Sequence, residues 1–169
     1  EKMSKSKFNG VDPSVVIDKY GADTARMFIL FKAPPEKDLE WNDADVEGQY
    51  RFLIRIWRLV DLFTKKRNAK LPLNEDLNLI QNKDIGFNQN EQQLHRLVNI
   101  GIKSITEDLD QNQQFNTAIS ELMKLTNSIN ENIGLVRLSL LEDSISTLLK
   151  LLAPFAPHIS EEIWSKLDG

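Results

Sequence analysis

The stretch DVEGQYRFLIRIWRLVDLFTKK, residues 45–66, decides the fold. Val46, Tyr50, Leu53, Trp57 and Val60 recur at steps of four and three, which is one apolar stripe on an α-helix of about six turns. Arg51, Arg55, Arg58 and Lys65 fall on a neighbouring arc, a quarter to a third of a turn away at about 100° per residue. The first three stand at i, i+4 and i+7, so their guanidinium groups line one edge; taken singly, each arginine reads as part of a solvated face. Downstream, three more stripes share the same period. Leu94, Leu97 or Val98, Gly101, Ile105 and Leu109 form the first, with Gly101 allowing a neighbour to come close. Phe115, Ala118, Ile119, Leu122, Leu125, Ile129 and Ile133 form the second, with a cap expected near Asn116 and an end at Gly134. Leu141, Ile145, Leu148, Leu149 and Leu152 form the third; Pro154 and Pro157 lack amide donors and must break it, after which Ile159, Ile163, Trp164 and Leu167 continue the apolar face. Four long amphipathic helices without an alternating strand pattern predict an all-α helical bundle.

Upstream of this bundle the elements are short. Asp12-Pro13 reads as the start of a helix to Tyr20, and Gly21 as its C-cap. Asp23 or Thr24 is expected to cap a second helix, Ala25 to Phe31, ending before Ala33-Pro34-Pro35. Leu39 to Trp41 reads as an extended connection, and Asn42-Asp43 signals the cap of the long helix. Residues 71–93 break the pattern: from Asn74 to Gln93, 9 of 20 residues are Asn or Gln. That is longer than the usual helix–helix connection of ~2–8 residues, and it reads as a surface linker with a turn near 76–80. The expected organisation is therefore residues 1–44 as a loop and connecting segment, and 45–169 as the bundle.

Composition excludes several classes. The chain has no cysteine, so disulfides and thiolate metal sites are ruled out, which suits a reducing cytosol. No signal-peptide pattern is present, and no apolar run approaches the ~20 residues that span a bilayer. The two histidines, His95 and His158, assemble no metal-ligand set and read as structural. Charge is unevenly shared: residues 1–70 carry 14 Lys and Arg against 11 Asp and Glu, residues 71–169 carry 7 against 14, and together they give the formal −4. A polyanion would prefer the first long helix and the amino end.

At that amino end, Lys2-Met3-Ser4-Lys5-Ser6 places two ammonium groups and two hydroxyls on a short loop ahead of the Asp12-Pro13 helix start. Mobile point charges and small hydroxyl donors suit a polyphosphate under attack. With the run KMSKSKFNGVDPSVVIDKYGADTARMFILFKAPPEKDLEW, residues 2–41, this loop closely resembles the signature-loop region of class I aminoacyl-tRNA synthetases. Ala33-Pro34-Pro35-Glu36, Leu39-Glu40-Trp41, Val46-Glu47-Gly48, Arg51-Phe52-Leu53 and Trp57-Arg58-Leu59 resemble the leucine-type pattern of bacteria and organelles. Residues 151–162, Leu-Leu-Ala-Pro-Phe-Ala-Pro-His-Ile-Ser-Glu-Glu, are similar to the closing helix of that family's tRNA-binding helical domain.

The resemblance implies a ligase that activates leucine with ATP, accompanied by Mg2+, and transfers it to tRNA(Leu). It implies Lys5, with Lys2 in support, as catalytic charge on the leaving pyrophosphate. It implies ATP contact by Lys2, Met3, Ser4, Lys5 and Ser6, and tRNA contact through phosphates by Arg51, Arg55, Arg58 and Lys65. The family's His-x-Gly-His element and nucleotide-binding fold are not in these residues, so the segment is expected to be a fragment, inactive alone. A monomeric enzyme of the cytoplasm, or of an organellar matrix, without membrane association, completes the expectation. The alternatives are a free-standing helical RNA-binding or interaction module with a vestigial loop, and a fragment of an isoleucine- or valine-type enzyme.

Overall fold

The computed structural model describes residues 10–33, 37–69 and 86–168. Lys2 to Ser6, the Pro34-Pro35-Glu36 element and the turn expected at 76–80 lie outside them. Among the described residues there are seven α-helices, one π-helical turn and no strand, so the all-α expectation holds.

Helix α1 (Pro13–Tyr20) begins as the sequence predicts: Asp12 accepts a hydrogen bond from Ser14 N at 2.9 Å, and Pro13 sits where no amide donor is needed. Gly21 closes it, donating to Ile17 O at 2.8 Å with φ +84°, a conformation only glycine adopts without strain. The same glycine opens α2 (Ala22–Lys32), because its carbonyl accepts from Ala25 N at 3.3 Å. The cap expected at this helix is not the one observed. Neither Asp23 nor Thr24 caps α2; Thr24 Oγ1 donates back to Tyr20 O at 2.7 Å, and Asp23 is buried against another helix.

Asn42 caps α3 (Asp43–Asn68) by accepting from Ala44 N at 2.9 Å. Asp43 and Asp45 in the first turn and Lys65, Lys66 and Arg67 in the last match the helix dipole at both ends. The buried face of α3 is wider than the five-residue stripe. Phe52, Ile56, Leu59 and Phe63 join Val46, Leu53 and Val60 in the core, while Tyr50 is exposed and Trp57 half-buried under Lys166, whose Nζ lies 3.6 Å from the ring centre. The reason is packing: α3 touches helices on several sides, so a single seam cannot account for its burial.

Helix α4 (Gln89–Glu107) starts five residues earlier than Leu94. Asn88 and Glu91 form a reciprocal capping box at 2.9 Å each way, so the Gln- and Asn-rich residues 89–93 begin the helix rather than continue a linker, with Gln89, Asn90, Gln92 and Gln93 exposed. A π turn (Asp108–Asn112) and Gln113 at φ 50° lead into α5 (Phe115–Glu131), which begins one residue before Asn116 and follows Gln114. Gly101 approaches α5 closely; a Cβ there would lie 3.4 Å from Leu125 Cδ2. Helix α6 (Leu138–Leu152) ends ahead of Pro154, and α7 (Pro157–Asp168) restarts at Pro157.

One main core runs through α2, α3 and α4 to α7, including Met27, Phe63, Leu94, Ile119, Leu148 and Ile163. A smaller cluster of Val16, Phe28 and Val46 packs under Trp41, whose ring centre is 4.8 Å from that of Phe28.

Candidate nucleic-acid interface

On α3 the basic residues expected from the sequence lie outside the core. Arg51, Arg55, Arg58 and Lys65 are all exposed along one side. They differ in what holds them. Lys65 pairs with Asp61 one turn back, at 2.8 Å, which locally cancels its charge. Arg55 donates from Nη1 to Asn127 Oδ1 on α5 at 3.1 Å and rests over the Phe52 ring at 6.0 Å. Arg51 and Arg58 form no ion pair among the described residues. Three exposed guanidinium groups that form no ion pair among the described residues therefore share one face. An arginine offers only donors, in a planar fork that matches phosphate oxygens.

The loop that would contact ATP, Lys2, Met3, Ser4, Lys5 and Ser6, lies outside the described residues. The helices downstream of that loop are anchored firmly. Asp23, on α2 and only 7% exposed, accepts from Ile159 N at 2.7 Å and lies 2.8 Å from His158 Nδ1. It therefore satisfies an otherwise unpaired donor in the first turn of α7. One turn on, Arg26 donates to the carbonyls of Phe155 at 3.3 Å and Pro154 at 3.1 Å, the connection left open by the two prolines. Helix α2 thus grips both sides of the break between α6 and α7.

A second polar anchor sits at the far end of the bundle. Glu91 is 2% exposed and receives Arg137 Nε at 2.7 Å, Arg137 Nη2 at 2.9 Å and Arg137 N at 2.9 Å, besides closing the Asn88 cap. The Arg137 side chain, and then the backbone amides of Arg137 and Asn88, hold the Glu91 carboxyl at about 2 against an ordinary 4.5, although burial pushes the other way. This cluster fastens the turn after α5 to the start of α4.

Sequence reasoning found the arginine row but missed Asn127, Asp23, Arg26 and the Glu91–Arg137 pair. Spacing along one chain carries no signal for contacts 72, 135, 129 and 46 residues apart. Among the described residues no group of three or more His, Asp or Glu side chains gathers where a metal could sit. The open cleft of about 380 Å³ between α2, α3 and α7 is walled mainly by apolar parts of residues such as Tyr20, Tyr50, Leu53, Trp57 and Ile159.

Known proteins share this sequence and this fold. Residues 91–169 match the family model described as the anticodon-binding domain of tRNA ligase, and residues 1–42 match that of class I tRNA synthetases for I, L, M and V. The chain is 60% identical over 169 residues to a leucine–tRNA ligase of Prochlorococcus marinus (strain MIT 9211), covering all of this chain and 19% of that protein. A leucine–tRNA ligase of Crocosphaera subtropica is 57% identical over 167 residues, covering 99% of this chain and 18% of the relative. The chain therefore spans about a fifth of the length of these curated relatives. Among solved structures, the Agrobacterium radiobacter K84 agnB2 LeuRS in its ternary complex with tRNA and LeuAMS matches with TM-score 0.84 and 31% identity, over 100% of this chain and 20% of that one. From the buried face of α3 to the closing helix, and in its full length of sequence, the chain belongs to the leucine–tRNA ligases of the class I synthetase family.

Proposed function

We propose that this chain supplies the nucleotide loop and the tRNA-gripping bundle of a leucine-activating enzyme. In the first step a leucine carboxylate oxygen attacks the α-phosphorus of ATP, the bond to the bridging oxygen breaks, and pyrophosphate leaves. In the second, a terminal ribose hydroxyl of tRNA(Leu) attacks the leucyl carbonyl and AMP leaves. Charge builds on the β- and γ-phosphate oxygens in the first step. Lys5, supported by Lys2, neutralises it there; Ser4 and Ser6 donate to the same oxygens, and Met3 seats the loop. Mg2+ enters with ATP as its counter-ion. The chain is one part of that machinery, and its loop needs the rest of the enzyme to act.

The division is residues 1–44 as loop and connection, and 45–169 as the tRNA-binding bundle, with residues 71–93 containing the linker. Arg51, Arg55 and Arg58 contact tRNA phosphates, and Lys65 adds less because Asp61 already pairs with it. The observation that supports this reading most is the row of exposed guanidinium groups on one side of α3 that form no ion pair among the described residues. A monomeric, cytoplasmic enzyme fits the whole.

Two measurements test it. In the full-length ligase, Lys5→Ala slows single-turnover adenylation by a factor on the order of 10²–10³, with ATP affinity little changed; an unchanged rate refutes the role of the loop. Replacing Arg51, Arg55 and Arg58 together by Ala weakens tRNA(Leu) binding and flattens its dependence on salt, each lost phosphate contact reducing the slope by about 1. Unchanged affinity would make the row a merely solvated face.

A further inference from the structure

The row on α3 is not closed on the side of α5. Arg55 meets Asn127, and further along the Lys66 Nζ lies 3.6 Å from where a Cβ of Gly134 would stand. Both contacts advance in the same direction along the two segments, so α5 runs alongside α3 and flanks the arginines. Asn127 is exposed and directed at Arg55. A guanidinium has donors only, so the amide oxygen of Asn127 must be the atom facing it. Its amide nitrogen is then turned away, carrying two donors, and makes no hydrogen bond among the described residues. Lys124, one turn before Asn127, is taken up by Glu121 at 2.6 Å. The Arg55–Asn127 pair therefore offers donors on both helices, and the amide oxygen of Asn127 is already used by Arg55.

We propose that Asn127 is a tRNA-binding residue: it fixes the direction of the Arg55 guanidinium and donates from its own amide to the same phosphodiester. The inference rests on the reading of the arginine row as a phosphate-binding face and extends that face from one helix to two. The chemistry selects the ligand, since the guanidinium of Arg55 and the amide nitrogen of Asn127 both present donors and suit a group presenting only acceptors. A phosphodiester does so with two non-bridging oxygens that share one negative charge, which one guanidinium and one amide can contact together. The contact is to the backbone and carries no base preference.

Two variants are read together, Asn127→Asp and Asn127→Ala. A carboxylate at this place pairs with Arg55 more strongly than the amide does, so a residue that only ties α5 to α3 would be improved by it. Binding is impaired by it if Arg55 meets phosphate, because the new charge both occupies Arg55 and repels the backbone; Asn127→Ala, which adds no charge, isolates the donor of Asn127 itself. In the full-length ligase at about 0.1 M salt, Asn127→Asp is expected to weaken leucine tRNA binding by about tenfold or more and to lower the salt slope by about 1, with an unchanged or raised Tm. Asn127→Ala is expected to weaken binding a few-fold. If Asn127→Ala binds as the parent does while the triple arginine variant is impaired, Asn127 is structural and the inference falls. If the triple variant also binds normally, the reading of the face itself has failed.

Discussion

The Glu91–Arg137 cluster and the arginine row on α3 use the same side chain under opposite conditions. Arg137 is fastened to a carboxylate that is 2% exposed, with three hydrogen bonds and a capping box around it. Arg51 and Arg58 are exposed and form no ion pair among the described residues. A buried charge must be paired or it destabilises the fold, so the first arrangement is dictated by folding. An exposed charge costs the fold almost nothing left alone, so an unpaired row is available for a partner. The difference separates residues that hold the bundle together from residues the bundle displays.

That separation can be broken by experiment, beginning where the effect is largest. Glu91→Ala leaves the Arg137 guanidinium without its buried carboxylate and opens the start of α4; the loss in a denaturant titration is expected at about 3–5 kcal/mol. The salt dependence of tRNA binding by whatever remains folded should not change, and a flatter slope would mean that Arg137 also serves the RNA. The pH dependence sharpens the same point. Because Glu91 is held at about 2 in the fold against 4.5 ordinarily, its contribution is complete above pH 4.5 and is lost as pH falls towards 2. The span is worth about 3 kcal/mol, so the Tm gap between the parent and Glu91→Gln should close across that window; a gap constant with pH would reject the assignment.

Asp23→Ala tests the other anchor. It removes the acceptor for Ile159 N and should cost about 1–2 kcal/mol in unfolding free energy. In a full-length ligase the same variant asks whether the grip of α2 on α7 matters beyond stability, with adenylation rate as the readout. Smallest of all is Lys65→Ala. Its pair with Asp61 is exposed on both sides, so stability should move by no more than about 0.5 kcal/mol. A larger loss would show that the displayed face is structural after all.

Legibility followed distance along the chain. The caps at Asp12, Gly21 and Asn42 were readable because each is satisfied within four residues. The Asn/Gln-rich stretch misled at its end because composition resembles a linker, whereas Asn88 and Glu91 at the spacing of a capping box already marked the helix start. On α3 a single stripe was inferred because periodicity finds one best seam; Phe52, Ile56, Leu59 and Phe63 are also buried because the helix has neighbours on several sides.

From the order of residues alone came the helices, most of their ends and the basic row, since backbone donors, proline rings and the period of about 3.6 residues act over a few positions. Only the tertiary structure decided that Asp23 caps α7, that Glu91 holds Arg137, and that Asn127 stands beside Arg55. Those pairings depend on how rigid helices cross, and a crossing is determined by side chains throughout the core rather than by the residues that happen to meet.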